Sequence, residues 1–289
     1  MIILIYSYIL ILLSGILIGI SALIEKATLR KEHSVAYATS VALIAALISL
    51  IFIPFANFNI SIIDILLLYI VSLLSTTTAI LAAKVYKHGN ISVVSPVLSA
   101  IPQFIIIVLA LVFLNEELSP IKYISIAVII IATYLLISNR NKQSKSFDKK
   151  YYVYVLVILT LLMAIGATIL KYLLFSIQPI TYLLFLSIFT AINGIAYMQI
   201  KFGGLREILK NSIEYKYPII AIALITVTYR ILYYVALSNT FVSIAYPLRN
   251  TLNILITVII GGLFFGEKNI KKKLLLSIIL LVAVYTLIA

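Results

Sequence analysis

From Met1 to Ile24, and again from Ile91 to Leu114, the chain carries no Asp, Glu, Lys or Arg. Wound as a helix at about 1.5 Å per residue, each stretch crosses a hydrocarbon core of roughly 30 Å. Inside a bilayer no water can satisfy backbone N–H and C=O groups, so a run of this length must bond within itself as a helix. The rest of the composition agrees. Of 289 residues, 64% are hydrophobic and 11% charged, and a soluble domain of this length has too little interior to hide so much apolar surface. The expected fold class is therefore all-α, a polytopic membrane protein.

Apolar runs punctuated by short charged loops predict ten transmembrane helices: Ile2–Ile24, Ser34–Phe55, Ile62–Ala83, Ile91–Leu114, Pro120–Ser138, Tyr151–Phe175, Pro179–Ile200, Tyr217–Ser238, Phe241–Phe265 and Lys273–Ile288. The polar, basic stretch 139–150 splits them five and five, giving units 1–138 and 151–289. Met1–Ile24 has no basic residues ahead of its apolar run, so it reads as a retained first helix rather than a cleaved leader.

The formal net charge is +13. The basic residues lie in short loops between apolar runs, which points to topology and anionic lipid headgroups rather than nucleic acid. Loops after helices 1, 3, 5, 7 and 9 lie on one face and hold 18 Lys and Arg, the other face holds Lys122 and Lys171, and Arg230 and Arg249 lie inside helices. The positive-inside bias then places stretch 139–150 in the cytoplasm and both termini outside a cytoplasmic membrane. The absence of cysteine excludes disulfides and thiol chemistry. His33 and His88 stand without a ligand pattern, so no metal and no cofactor is expected.

The two halves resemble each other. A shift of 151 pairs Pro96 with Pro247, Ser92 with Ser243, Glu116 with Glu267, Lys122 with Lys273 and Tyr134 with Tyr285. Nearer the start of each half a shift of 145 pairs Ala22 with Ala167, Lys26 with Lys171 and Tyr37 with Tyr182. Two five-helix units in series must be inverted relative to each other, because five is odd. Inverted repeats are a common construction of secondary transporters.

Helix 4 carries Ser95-Pro96 near its start and runs out into Asn115-Glu116-Glu117-Leu118-Ser119, and helix 9 repeats the pattern with Tyr246-Pro247 and Gly266-Glu267-Lys268. In this the chain resembles the EamA type of the drug/metabolite transporter (DMT) superfamily, as two EamA-like units over essentially its whole length. The resemblance implies ten helices, a central cavity between the repeats and transport of small metabolites. Asn115 stands where the family pattern has glycine. Familiar members keep both termini in the cytoplasm, the reverse of what the charge bias predicts here.

Arg230 and Arg249 are the sharpest candidates for a site. An ionised side chain at the centre of a membrane helix costs about 2.5–3.5 kcal/mol on insertion scales and rarely faces lipid. The two lie ten residues before and nine after Thr240, at matched depth on adjacent antiparallel helices. The planar guanidinium fork suits a carboxylate or phosphate; bonding to helix carbonyls, or snorkelling, is the plainer alternative. Tyr229, Tyr233, Tyr246 and Asn250 neighbour them. Ser95, Ser99 and Gln103 recur every four residues on one face of helix 4. Thr77 lies mid-helix 3 and Asn193 in helix 7. These make either a cavity wall or ordinary interhelical hydrogen bonds. Glu116 and Glu267, with Pro96 and Pro247, are candidates for gate or structural roles. Pro96 and Pro247 kink their helices or free carbonyls toward a cavity.

No Gly-rich phosphate loop and no paired buried carboxylates are visible, so the chain reads as a non-enzyme. The expected function is secondary transport of a small organic, anionic metabolite by alternating access. The expected partners are that substrate and membrane lipids, with the chain a monomer or homodimer and no nucleic acid bound. The competing reading is a membrane-embedded enzyme, or a flippase-like protein, acting on a lipid-linked substrate.

Overall fold

The computed structural model describes residues 2–29, 34–88, 91–138, 149–202, 206, 208, 213–264 and most of 275–286. The described part is α-helical: α1 Ile2–Leu29, α2 Ser34–Ser49, α3 Ile62–His88, α4 Ile91–Phe113, α5 Pro120–Ser138, α6 Lys149–Leu173, α7 Pro179–Phe202, α8 Lys216–Ser238 and α9 Val242–Phe264, with a 3₁₀ turn Leu50–Phe55 after α2. The described positions of 275–286 are helical as well. Seven helices are long and apolar enough to cross a membrane, while α4 and α5 contribute shorter apolar segments, Pro102–Phe113 and Pro120–Ala132. Large apolar side chains such as Ile51, Ile62, Val112 and Phe113 stand exposed on the outside, as a surface solvated by lipid tails requires.

Several helices end elsewhere than the sequence predicts, each for a local reason. α1 continues past Ile24 through Glu25 and Lys26 to Leu29. The Lys26 ammonium is buried and donates to the Tyr86 carbonyl, with Lys87 O at 3.5 Å. A lysine so placed satisfies carbonyls that the last turn of α3 would otherwise leave unbonded, and α3 correspondingly runs on to His88. α2 tightens into the 3₁₀ turn before Pro54, which cannot donate to the ladder.

Helices of one half pack mainly on helices of the other. α1 lies against α8 and α9 rather than its own half, α4 against α9 and α6, α2 against α7 and α8, and α3 against α6 and α7, while α5 is peripheral and packs mainly on α4. The α1–α9 contact is close because Gly15 and Gly19 face it. A Cβ on Gly15 would sit 2.5 Å from the Arg249 carbonyl oxygen, and one on Gly19 would sit 2.9 Å from the Ile256 side chain. This is the G-x-x-x-G spacing, in which two glycines one turn apart let backbones approach. Residue numbers rise together along the contact, so α1 and α9 run parallel. Ser14 ties the same face to α8 by donating to Tyr229 O at 3.0 Å.

Candidate functional site: a polar cavity between the halves

A cavity of about 270 Å³ lies where α1, α2, α3 and α4 face α6, α7, α8 and α9. Its wall includes Arg230 and Tyr229 from α8, and Arg249, Asn250 and Asn253 from α9. Both intramembrane arginines thus reach one space. Among the described residues neither pairs with a carboxylate. The Arg249 guanidinium carbon lies 3.9 Å from the centroid of the Tyr233 ring and 5.2 Å from that of Tyr246. Stacking on two aromatic faces stabilises a desolvated guanidinium and leaves its planar edge free for hydrogen bonds. Part of that edge is unsatisfied: Arg249 Nε, and beside it Asn250 Nδ2, are buried donors with no acceptor. Unpaired buried donors are costly, and two on adjacent cavity-lining residues form a site lacking an acceptor.

The remaining candidates divide. Tyr233 and Tyr246 are buried behind Arg249 rather than in the cavity wall. Thr77 turns outward and back-bonds to Leu73 O at 2.8 Å, while its neighbours Thr76 and Thr78 line the cavity. Helical geometry explains this, since consecutive residues point about 100° apart. Asn193 donates to Ser72 Oγ at 2.9 Å, bridging α7 to α3 away from the cavity lining, which Gly194 reaches instead. Gln103 is fully buried outside the cavity lining, with neither amide atom hydrogen-bonded among the described residues. Pro247 is buried inside α9, and the Thr251 hydroxyl bonds the Pro247 carbonyl at 2.9 Å. The side chains of Ser95, Pro96 and Ser99, together with Glu267 and the stretch 139–148, lie outside the described residues.

Glu116 has a defined task. Its carboxylate accepts the Val242 amide at 2.8 Å, the Ser243 amide at 3.0 Å and the Ser243 hydroxyl, and the residue is buried. It caps the N-terminus of α9 from the loop after α4, so a first-half side chain clasps a second-half helix. A carboxylate at a helix N-terminus meets both orphan N–H groups and the positive end of the dipole. Asn115 aims it: at φ 51° it turns the chain so that the Glu116 amide returns to Ala110 O at 3.3 Å. Asparagine, like glycine, adopts that left-handed conformation readily, which explains its place in the pattern. Beside the clasp, Lys171 donates to Leu237 O at 2.8 Å, holding the last turn of α8.

Glu25 is a cavity residue that sequence reasoning missed. It lines the wall near the end of α1, with Tyr37 from the start of α2 and Tyr86 from the end of α3. Ending helix 1 at Ile24 assigned Glu25 to a loop. The signal that could have found it is that no helix breaker stands between Ile24 and Leu29.

Seven helices long and apolar enough to cross a membrane, packed around a cavity that two arginines line, describe a multi-pass membrane protein. Residues 5–138 match the EamA-like transporter family, a match that supports the EamA type of the drug/metabolite transporter superfamily for the first half of the chain. No curated protein sequence matches it significantly. Among solved structures, one titled only as the crystal structure of a protein overlays it with a TM-score of 0.67 at 11% identity, covering 98% of this chain and 97% of that one. That likeness carries the fold alone.

Proposed function

We propose that the chain is a secondary transporter that binds a small organic anion in the cavity between its halves and exposes it alternately to the two membrane faces. The observation that carries this reading is the pair of buried, acceptor-less donors at Arg249 and Asn250, in a cavity that Arg230 also lines. A ligand carboxylate or phosphate would supply acceptors and charge together, and Arg's fork would hold it through two parallel bonds. The cavity extends along α1 from Ile18 to Glu25, toward the end of the bundle opposite the Glu116 clasp. One end closed and the other reached by the cavity fits one state of an alternating cycle.

The rest of the reading follows the sequence. The fold is ten helices in two inverted units, 1–138 and 151–289, with 139–150 joining them on the cytoplasmic side of the cell membrane and both termini outside. Lys26 holding α3 as Lys171 holds α8 supports the repeat, since the shift of 145 pairs the lysines and the shift of 151 pairs the residues whose carbonyls they hold, Tyr86 and Leu237.

Arg249→Lys keeps the charge but loses the fork and the double stacking. Counterflow uptake of a labelled carboxylate mixture into proteoliposomes is expected to fall about tenfold or more, with the variant's thermal unfolding in detergent within a few degrees of wild type. Undiminished uptake by Arg249→Lys and by Arg230→Lys would remove the anion from the proposal. A cysteine at Ser144 tests orientation: in intact cells it should resist an impermeant thiol reagent, and ready labelling would put stretch 139–150 outside.

A further inference from the structure

The cavity has a second polar end that the anion does not use. Glu25 lines it, and among the described residues no cation or hydrogen-bond donor pairs with its carboxylate. The neighbouring Lys26 is committed elsewhere, to the carbonyls of Tyr86 and Lys87. Tyr37 stands near Glu25, and Thr39 lines the same cavity further along α2; each is 2% exposed, with a phenol and a hydroxyl that have no hydrogen-bond partner. The Glu25 carboxylate is close enough to Tyr37 to interact with it electrostatically. Of the residues lining the whole space, Glu25 is the one acid and Arg230 and Arg249 are the cations.

The ends are well separated. The Gly15 backbone is in contact with Arg249, and Glu25 lies ten residues further along α1. Ten residues of helix span about 15 Å. One end therefore offers donors that lack an acceptor, and the other a carboxylate and two hydroxyls that lack a cation. We propose that the cavity takes an elongated zwitterion, its acidic group at Arg230 and Arg249 and a protonated amine several carbons away at Glu25, Tyr37 and Thr39. This rests on the anion reading above and adds the second charge and its distance. Mechanistically, Glu25 then selects: a simple carboxylate of equal length leaves an ionised carboxylate unpaired in a low-dielectric wall, whereas the amine pairs with it. An α-amino acid, whose charges are adjacent, cannot reach both ends at once.

The test uses purified full-length protein in detergent, with ω-aminohexanoate and ω-aminooctanoate against hexanoate and octanoate as probes, read by thermal shift and by competition for uptake into proteoliposomes. The ω-amino acids are expected to bind at least about tenfold tighter than the plain carboxylates in the unmodified chain, a comparison that needs no variant to fold. Glu25→Gln is expected to erase that preference, weakening the ω-amino acids and strengthening the plain carboxylates, and Arg249→Lys to weaken every probe. Equal binding of amino and plain carboxylates, or a preference that survives Glu25→Gln, overturns the zwitterion. If carboxylate binding in either result still depends on Arg249, the anion reading stands without it. No binding by any probe, or binding indifferent to Arg249, overturns both.

Discussion

At the clasped end of the bundle, Lys171 holds the last turn of α8, Tyr182 is 1% exposed with its ring 5.0 Å from that of Tyr234 in an edge-on contact, and Glu116 caps α9. At the far end, Lys26 holds the last turn of α3 in the same manner, but Tyr37, the residue matched to Tyr182, stands in the cavity wall with its hydroxyl unbonded. The lysine device is thus made at both ends and the tyrosine seal at one. The lysines connect helices within a half and can persist through a cycle. The tyrosine and the clasp tell the ends apart, so they are the parts expected to change.

Breaking the clasp should have the largest effect. Glu116→Ala strands the Val242 and Ser243 amides at a buried helix start, and unfolding in detergent should come roughly 2–4 kcal/mol sooner. A cysteine at Ser243 in the Glu116→Ala chain should label faster than in a Ser243→Cys chain that keeps Glu116. Equal rates would mean that the clasp closes nothing. Next come the lysines. Lys171→Met and Lys26→Met each leave a last-turn carbonyl without its cation, at about 1–2 kcal/mol apiece. Similar losses would sharpen the view that both serve one structural role; a loss confined to Lys171 would make it part of the clasp. Asn115→Gly should be tolerated within about 1 kcal/mol and Asn115→Val should not, because a β-branched residue is strained at φ 51°. Smallest is Tyr37→Phe. It removes a hydroxyl that bonds nothing in the structure, so stability should shift by about 0.5 kcal/mol or less, while binding of an amine-bearing probe weakens. A stability loss as large as that of Lys26→Met would show that Tyr37 is structural.

Element existence was legible in the sequence because charge-free runs leave a bilayer segment only one conformation. Arg230 and Arg249 were legible for the related reason that ionised side chains inside such runs stand out. What failed was anything set by contacts between distant helices. The α1 boundary was placed at the first charges, although burying the Lys26 ammonium against Tyr86 lets the helix continue and brings Glu25 to the cavity. Thr77 was singled out from a run of three threonines where rotation about the helix decides, and its neighbours are the ones that face inward. Reading the sequence as lacking a G-x-x-x-G motif was wrong, since Gly15 and Gly19 form one; its partner, the backbone at Arg249, is distant in the chain. Glu116 was noticed as a helix-end acid, but which helix it caps depends on the fold.

The packing of α1 on α9 also sets a timetable for making the protein. α1 is synthesised well before α9, yet its glycine face meets Arg249, whose number is higher than that of Gly15 by 234. At ribosomal speeds of about 5–20 residues per second, α1 waits in the lipid for some ten seconds or more before that partner arrives. It is suited to waiting, being the most apolar of the seven spanning helices, while α9, with its arginine, is the least apolar and most buried. The early helix enters the bilayer on its own merits, and the late one enters because a surface is already there to receive it.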